Sequence, residues 1–274
     1  MFQQITKRDN AAAGTLATLE LIYHLTVRQI RKSHRNAVVG LATEILQAVI
    51  FIAALYLMFS LLGARSSAIR GDFLLYLMTG ICAFLAHIRA LASISGAEGV
   101  TSSMMKHRSL NSVVIIVSAA LASLYLQVLS VCVVLFGVHV LFHPLELHDP
   151  FSAMGVFILA WFSGACNGML FRAIKPWYPS ASNIIQMIYM RVNMIFSGKM
   201  FVANTLPAYM LPWFEWNPLF HAIDQIRGYI FINYFPRYTD WTYIIWFGLA
   251  VLVIGMLGEN YSRKHASISL ASRQ

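Results

Sequence analysis

Long hydrophobic stretches with almost no charge alternate with short polar segments along this chain. Each stretch has about 20 residues or more, the length that crosses a hydrocarbon core of about 30 Å as a helix. Six crossings are predicted, at roughly residues 37–62, 73–94, 111–142, 151–172, 182–203 and 241–261. The pattern therefore predicts an all-α integral membrane protein with six transmembrane helices and with both termini on one side.

Composition agrees with this pattern. Hydrophobic residues make up 58% of the 274 positions and charged residues 11%, whereas about 25% of the residues in soluble domains are charged. A soluble protein of this size could not bury so much apolar surface. Three parts are predicted: a cytoplasmic arm (1–36), a six-span domain (37–261) and a cytoplasmic tail (262–274).

The basic residues predict the orientation of the spans. Lysine and arginine number thirteen in the segments on one side and four in the segments on the other. Cytoplasmic loops carry the excess of these residues, so both termini are predicted to be cytoplasmic. The net charge of +9 is thereby assigned to orientation and to membrane lipids, and no nucleic-acid partner is predicted.

Two cytoplasmic elements are not spans. Residues 15–35 place apolar side chains at helical spacing, and basic residues occupy much of the remainder. This is typical of an amphipathic helix that lies in the membrane interface, although a solvated basic arm stays an alternative. The loop at 95–110 is short and polar and contains two glycines. It is predicted to form a small helix that faces a partner.

Motifs for conventional catalysis are missing. The sequence has no GxxxxGK[ST], GxSxG or HExxH motif, so neither nucleotide hydrolysis nor a standard active site is predicted. His139, His143 and His148 lie near the end of the third span, but Pro144 interrupts the helix there. We therefore predict interfacial histidines and no metal site.

Ionisable residues inside spans are expensive to bury and are functional candidates by default. Glu44 and Arg191 lie at comparable predicted depths from the cytoplasm. We predict that they pair, and that Arg191 faces a polar path for anionic cargo; a purely structural pair is the alternative. Lys199 is expected to reach the outer interface. Asp224 and Arg227, three residues apart, are predicted to pair on one helix face.

The segment between the fifth and sixth spans, residues 213–235, is apolar but is interrupted by a proline and charges. Such a segment is tolerated at membrane depth only where protein or a watery cavity covers it. It is predicted to form re-entrant helices at about 205–215 and 219–233, joined by a turn at Asn217-Pro218.

Two stretches carry a resemblance to a known family. WNPLFHAIDQIRGYIF (Trp216 to Phe231) and the arginine-rich RQIRKSHRNAVVG (Arg28 to Gly40) resemble segments of the permease subunit of type-2 ABC exporters of capsular polysaccharide, O-antigen or related glycans. The chain departs from the family in two places. MMKHRSL lacks the usual loop proline, and Leu41–Glu44 stands where a tryptophan and a proline are common.

The resemblance implies a transport subunit that is not an enzyme. Two permeases would form a homodimer, and two ABC ATP-binding subunits would bind ATP and Mg²⁺, so that this chain needs no cofactor. The cargo would be a polysaccharide, lipid-linked or lipid-capped, that crosses the bacterial inner membrane. Periplasmic and outer-membrane export proteins are further candidate partners.

The resemblance and the residue types together predict four groups of site residues. The translocation path is assigned Glu44, Tyr189 and Arg191. The ATPase coupling loop is assigned Glu98, Met104, Met105, Lys106, His107 and Arg108, and the interface helix Arg28, Arg31 and Arg35. The exit segment is assigned Tyr209, Trp213, Phe214, Trp216, Asn217, Pro218, His221, Asp224, Arg227 and Tyr229.

Aromatic rings in this exit segment offer a surface for the apolar faces of sugars, although interfacial anchoring is the alternative. Two other functions stay open. One is an ABC permease for drugs or small lipids. The other is a membrane-embedded glycan acyltransferase, for which His87 and Arg89 are the nearest candidates.

Overall fold

The structure is a computed structural model that describes residues 11–33, 37–63, 69–97, 112–142 and 144–271. These residues contain helices and no β-strand. In chain order the helices are α1 (Ala11–Ser33), α2 (Ala37–Leu61), α3 (Phe73–Ser95), α4 (Ser112–Leu141), α5 (Pro150–Ile174), α6 (Pro179–Phe196), α7 (Pro212–Glu215), α8 (Pro218–Ile230) and α9 (Trp241–Ala271). A 3₁₀ turn at Ala203–Thr205 precedes α7.

Five of the described helices are long and apolar enough to cross a membrane: α2, α3, α4, α5 and α9. The bounds of α2, α3, α4 and α5 agree with the predicted spans to within about two residues. α9 begins at the predicted residue, Trp241, but continues to Ala271, past the predicted end of the span at 261. The fifth predicted span corresponds to α6, which has 18 residues and does not meet the same measure of hydropathy. Six crossings are therefore not confirmed.

The chain leaves the helical conformation earlier than predicted at the end of α6. Gly198 has a φ of 71°, a left-handed conformation that glycine adopts readily and that commonly ends helices. A Cβ atom there would also lie 2.5 Å from the Phe220 ring. The predicted span at 182–203 is thus wrong beyond Phe196, because the glycine turns the chain back towards α8.

The re-entrant prediction is partly wrong as well. The stretch predicted as a helix at 205–215 contains only α7, which has four residues. The predicted turn lies at Asn217, and Pro218 begins α8, as expected for a proline at the first helical position. α8 ends at Ile230, a few residues before the predicted end.

α5 is the central helix of the bundle, packed against α3, α8 and α9. Small residues allow this close packing. A Cβ on Gly164 would lie 2.1 Å from the His87 carbonyl oxygen of α3, and one on Gly255 of α9 would lie 2.8 Å from the Cβ of Met169 in α5. The backbones of α3, α5 and α9 are consequently held close together.

α1 packs mainly along α4. A cavity between these two helices is lined by Tyr23 and Arg31 of α1 and extends to Cys132 in the second half of α4. Of the predicted apolar stripe, Ile22, Val27 and Ile30 are half-buried, whereas Leu16, Leu19 and Tyr23 are exposed. The basic Arg28 and Arg31 of α1 are exposed as well. The position of α1 in the cytoplasmic interface stays a prediction.

Candidate functional site

The residues of the predicted exit segment converge on α8, which is almost entirely buried against α3, α5 and α9. Asn217 begins this helix. Its Oδ1 accepts a hydrogen bond from the Leu219 amide at 3.0 Å, and its Nδ2 donates to Asn193 Oδ1 and the Phe196 carbonyl, each at 2.9 Å. Asn217 thus caps α8 and also fixes it to the end of α6.

Arg227 holds the turn after α6 in place. Its guanidinium donates to the carbonyl oxygens of Gly198 at 2.9 Å, Lys199 at 2.7 Å and Phe201 at 2.6 Å. The Tyr76 ring of α3 lies 4.2 Å from the guanidinium carbon, within the range of a cation–π interaction. A fully buried cation therefore joins the non-helical segment to α8 and α3.

Asp224 has partners of its own on the same helix. Its carboxylate accepts hydrogen bonds from the Tyr234 hydroxyl, from Thr239 Oγ1 at 2.8 Å and from the Ala203 amide at 3.4 Å. The predicted Asp224–Arg227 pair is therefore wrong, because nearby hydroxyl, amide and carbonyl groups satisfy each charge separately. Burial, followed by the Asp224 charge, raises the pKa of Tyr234 well above its ordinary value.

His221 connects α8 to the start of α9 and to the end of α7. Nε2 contacts the Glu215 carbonyl at 2.7 Å, Nδ1 accepts from the Asp240 amide at 3.0 Å, and the ring stacks on Tyr243 at a centroid distance of 4.4 Å. A neutral imidazole satisfies both contacts, one nitrogen as donor and one as acceptor. Burial is the main cause that lowers the pKa of His221.

The aromatic residues of this region form two groups. Four phenylalanines pack together, Phe214 and Phe220 buried and Phe196 and Phe201 half-buried. Tyr209, Trp213 and Trp216 are exposed instead. Trp216 is hydrogen-bonded through its indole to the Trp213 carbonyl, whereas Tyr229 is half-buried and its carbonyl accepts from the Asp149 amide.

Lys199 is fully buried and does not extend to an interface. Its ammonium lies 3.8 Å from the centre of the Phe84 ring and 4.4 Å from that of Phe51, and the described residues offer it no hydrogen-bond partner. The predicted interfacial position is wrong because the early end of α6 turns this residue inward between α2 and α3.

The predicted Glu44–Arg191 pair is wrong too. Glu44 Oε2 lies 3.1 Å from Arg89 Nε of α3 and accepts from Gln127 Nε2 of α4 at 3.1 Å. These neighbours on adjacent helices reach the carboxylate, whereas Arg191 is exposed on α6. The assignment of either residue to a translocation path stays a prediction.

Tyr189 is brought into contact with a buried histidine. Its hydroxyl lies 3.1 Å from His87 Nε2, while Nδ1 of that histidine contacts Ser163 Oγ at 2.9 Å and the Ala160 carbonyl at 3.3 Å. His87 thus joins α3, α5 and α6. It is completely enclosed, so it lacks the accessible cavity that an acyltransferase base requires.

Comparison with known proteins gives the family. Residues 20–231 match the family described as ABC-2 type transporter, which is well over half of the chain. The chain belongs to the ABC-2 type transporter family. No curated protein gives a significant match.

This membership makes the chain the membrane subunit of an ABC transporter, a multi-pass protein whose family implies an ABC ATP-binding partner. The predicted resemblance to an ABC permease is confirmed at this level. Of the residues predicted to contact that partner, 98, 104–108 and Arg35 lie outside the described residues, whereas Arg28 and Arg31 lie exposed on α1. Contact with the partner stays a prediction for all of them.

Two ionic residues of the permease, Arg172 and Glu259, were missed as sites by sequence reasoning, and Arg89 was considered only as a candidate of the alternative acyltransferase. Arg89 lies within the second predicted span, and Arg172 and Glu259 lie at the ends of the fourth and sixth. Their signal was the presence of charge in an apolar window. Arg172 was interpreted only as evidence of orientation, although it is buried and paired with Glu259.

Proposed function

We propose that this permease exports a polysaccharide, lipid-linked or lipid-capped, from the bacterial cytoplasm across the inner membrane. In this proposal two copies form the path and two ABC ATP-binding subunits supply the energy. Both termini face the cytoplasm, so α7 and α8 lie at the outer side.

The observation that carries the cargo class is the exposed aromatic surface beside a rigid support. Tyr209 and Trp213 are 77% and 66% exposed, next to the buried Phe214 cluster and the capped α8. Flat rings on a fixed base offer a surface to the C–H faces of successive sugars without selecting a single sugar. Large exposed apolar side chains that are clustered commonly mark binding sites.

The length and the surface of α6 are consistent with two parts of the proposal, a sixth crossing and packing against a second copy of the chain. Its 18 residues give a length of about 27 Å at about 1.5 Å per residue, close to the thickness of a hydrocarbon core. Exposed isoleucines and methionine share its surface with Arg191. A helix with this mixed surface is suited to pack on a second copy and to line a polar path.

A drug or small lipid is the second candidate cargo. An apolar cavity of about 110 Å³ lies between α3, α4, α5 and α8, with Met78, Leu135 and Phe157 among its lining residues. A cavity of this chemistry would accept an acyl chain or another small apolar group. The alternative requires that export of such a molecule depends on the permease and that export of polysaccharide does not.

The test is deletion of the gene, followed by complementation. We expect deletion to reduce surface polysaccharide and to accumulate polymer inside the cell, and the tagged wild-type chain to co-purify with an ABC ATP-binding subunit. Unchanged surface polysaccharide would contradict the cargo class, and comparative lipid and drug-efflux assays on the same strains would then test the alternative.

The aromatic surface is tested by the double substitution Tyr209→Ala/Trp213→Ala. Export is expected to fall several-fold at equal protein level, because the cargo loses its contact surface. Trp246→Ala is the matched control, since Trp246 is 72% exposed on α9 outside the proposed exit. Equal effects of the two changes would assign Tyr209 and Trp213 to anchoring.

A further inference from the structure

A polar cleft opens at the end of the bundle where α3 and α5 begin. It has a volume of about 520 Å³ and lies between the segment before α3, the connection from α4 to α5 and the segment after α8. Among the described residues, the ionisable side chains that line it are Arg70, Asp72, Glu146 and His148. The polar cleft therefore presents charges of both signs at one end of the membrane-spanning helices.

Contacts within the fold hold the walls of the polar cleft together. The His148 amide donates to the Ile230 carbonyl at 3.2 Å, which joins the connection after α4 to the end of α8. Gly71 lies against the Phe231 ring, since a Cβ atom on this glycine would be only 2.9 Å from a ring carbon. All three walls thus meet at the end of α8, and the polar cleft is part of the packed fold.

The apolar cavity between α3, α4, α5 and α8 adjoins the polar cleft. Leu75, Leu147 and Ile230 line both spaces. Met154 and Phe157 of α5 line only the apolar cavity. A charged opening that continues into a hydrocarbon-lined space matches a ligand with a polar head and an apolar chain.

The apolar cavity exists because α4 packs along α1, α2 and α3 and contacts α5 only slightly. Val131 and Leu135 of α4, which line the cavity, are half-buried. Protein interiors leave few voids larger than a water molecule, whereas this one measures about 110 Å³. Water gains little in a space with such an apolar lining. The acyl chain of a lipid has the chemistry to fill it.

The charges of the polar cleft select among lipid headgroups. Arg70 offers a cation to a phosphate, and Glu146 offers an anion to an ammonium group; both side chains are exposed. A purely anionic headgroup would face the Asp72 and Glu146 carboxylates without a cation of its own. A zwitterionic headgroup with a phosphate and a primary ammonium supplies a charge-assisted partner for each sign.

We propose that the polar cleft and the apolar cavity form one binding site for a phosphatidylethanolamine-type phospholipid. Arg70 and Glu146 hold the headgroup, and part of one acyl chain lies between α4 and α5. Such a lipid is a resident part of the permease that fills a gap beside α8. It is not exported, so the site does not depend on the cargo.

The experiment uses the full permease in nanodiscs of phosphatidylglycerol that contain a trace of phosphatidylethanolamine with a diazirine in its acyl chain. After irradiation, the crosslinked residues are mapped by mass spectrometry. Labelling of Met78, Met154 and Phe157 is expected to exceed, several-fold, that of Val253 and Met256 on the exposed surface of α9, which reports ordinary contact with bulk lipid. Phosphatidylglycerol with the same diazirine should label the cavity several-fold less.

Ala153→Leu tests the apolar cavity. Ala153 lines the cavity and is 6% exposed, and the three added carbon atoms occupy the space of the acyl chain. Labelling of Met78 and Phe157 should fall several-fold, while the unfolding temperature in detergent without lipid should stay equal or rise, because a void is filled. Ile158→Phe is the matched control, since Ile158 is 39% exposed on α5 outside the cavity; labelling should not change.

Glu146→Lys tests the headgroup. Glu146 is exposed and lies outside the helices, so this change leaves the packing intact and reverses one charge of the polar cleft. The preference should invert, with phosphatidylglycerol labelling the cavity more than phosphatidylethanolamine. Glu215→Lys is the matched control, because Glu215 is a carboxylate of α7 that does not line the polar cleft; the original preference should persist.

Three results would overturn the site. These are equal labelling of the cavity and of the α9 surface, full labelling in Ala153→Leu, and an unchanged lipid preference in Glu146→Lys. If Ala153→Leu lowers the unfolding temperature, the preference of Glu146→Lys decides. Displacement of the labelled lipid by an apolar drug and not by excess phosphatidylethanolamine would assign the cavity to a small cargo and would also overturn the resident lipid.

Discussion

Two buried arginines lie in different regions of the molecule and are stabilised by different kinds of partner. Arg227 on α8 has three backbone carbonyls as partners, all from the short turn after α6. Arg172 on α5 has a carboxylate, a hydroxyl and a carbonyl, each from a different helix or helix end. The first region has one segment fixed in shape, and the second has several helices joined.

This difference teaches how each region responds to change. A guanidinium that serves backbone carbonyls sets the local shape of the chain, and no second side chain can be removed to compensate for its loss. An ion pair between helices can be removed as a unit, because replacing both residues by apolar ones leaves no buried charge without a partner. The two regions should therefore differ in whether a second substitution restores stability.

The largest effect is expected for Arg172→Met alone. It leaves the Glu259 carboxylate buried without its cation, which typically costs about 3–5 kcal/mol. Arg172→Met/Glu259→Leu should recover most of that loss. Thermal unfolding in detergent measures both, and a double variant no more stable than the single one would contradict the view of a separable pair.

Arg227→Met should be nearly as harmful and should not be recoverable. Three carbonyls lose their donor, at about 1 kcal/mol or more for each unsatisfied group. Adding Asp224→Asn should give no recovery, since Asp224 has separate partners. Limited proteolysis of the 197–217 segment, together with thermal unfolding, measures the loss; recovery in Arg227→Met/Asp224→Asn would show that the two charges depend on each other after all.

Gly164→Ala tests the helix that lies between the two regions. The added Cβ would meet the His87 carbonyl at 2.1 Å, so α3 and α5 must separate, at an expected cost of about 1–3 kcal/mol. Gly155→Ala is the control, because Gly155 is also in α5 but a Cβ there would meet no described atom of another element within 4 Å. It should be neutral or stabilising; equal destabilisation by both changes would exclude close packing as the cause.

Asn217→Ala should destabilise the same region at the start of α8, where Asn217 caps the helix and contacts the end of α6. Loss of the α8 cap should cost about 1–2 kcal/mol, plus the lost contacts to α6. Asn217→Asp retains the capping oxygen but removes the donor to Asn193 and Phe196, and should lie between wild type and Asn217→Ala. The two effects are separated by comparing unfolding temperatures, and identical values for the two variants would contradict a capping role.

The smallest expected effect is a dependence of stability on pH that arises from His221. Burial lowers the pKa of this side chain below its ordinary value of 6.5, so the folded protein prefers the neutral ring. The contribution of the neutral ring to the free energy of unfolding is complete above pH 6.5. It is lost as the pH falls from 6.5 to the lowered pKa of His221 in the folded protein.

The change amounts to about 1.4 kcal/mol for each unit by which the pKa is lowered. His221→Phe should therefore show a smaller decline in unfolding temperature than wild type between pH about 7.5 and about 5. An equal decline in both would assign the pH dependence to other groups.

Much of the helical layout was predictable, because local rules decide it. Long stretches with very few charges predicted α2, α3, α4 and α5 to within about two residues of their bounds, and they predicted the start of α9 but not its end at Ala271. Asn217-Pro218 marked the start of α8, since asparagine caps helices and proline favours the first position. Family membership followed from the same arm and the same Asn-Pro-Leu segment, and the family match confirms the permease.

Pairing between distant residues was not predictable from spacing. Depth along separate helices allowed Glu44 to meet Arg191, but it said nothing about which helices are neighbours or how they are rotated. In the structure Glu44 contacts Arg89, because α3 presents that side chain to α2. The contact between Arg172 and Glu259 was not predictable for the same reason, because it depends on which helices are neighbours and how they are rotated.

By itself the sequence determined that this chain is a multi-helical membrane protein, because burying its long apolar stretches in lipid is the only way to remove so much apolar surface from water. It also determined where most helices begin and end. Only the tertiary structure decided which charges are buried together. Lys199 lies between Phe51 and Phe84, and Arg227 serves backbone carbonyls, because the turn at Gly198 redirects the chain and because the partners come from helices far apart in sequence.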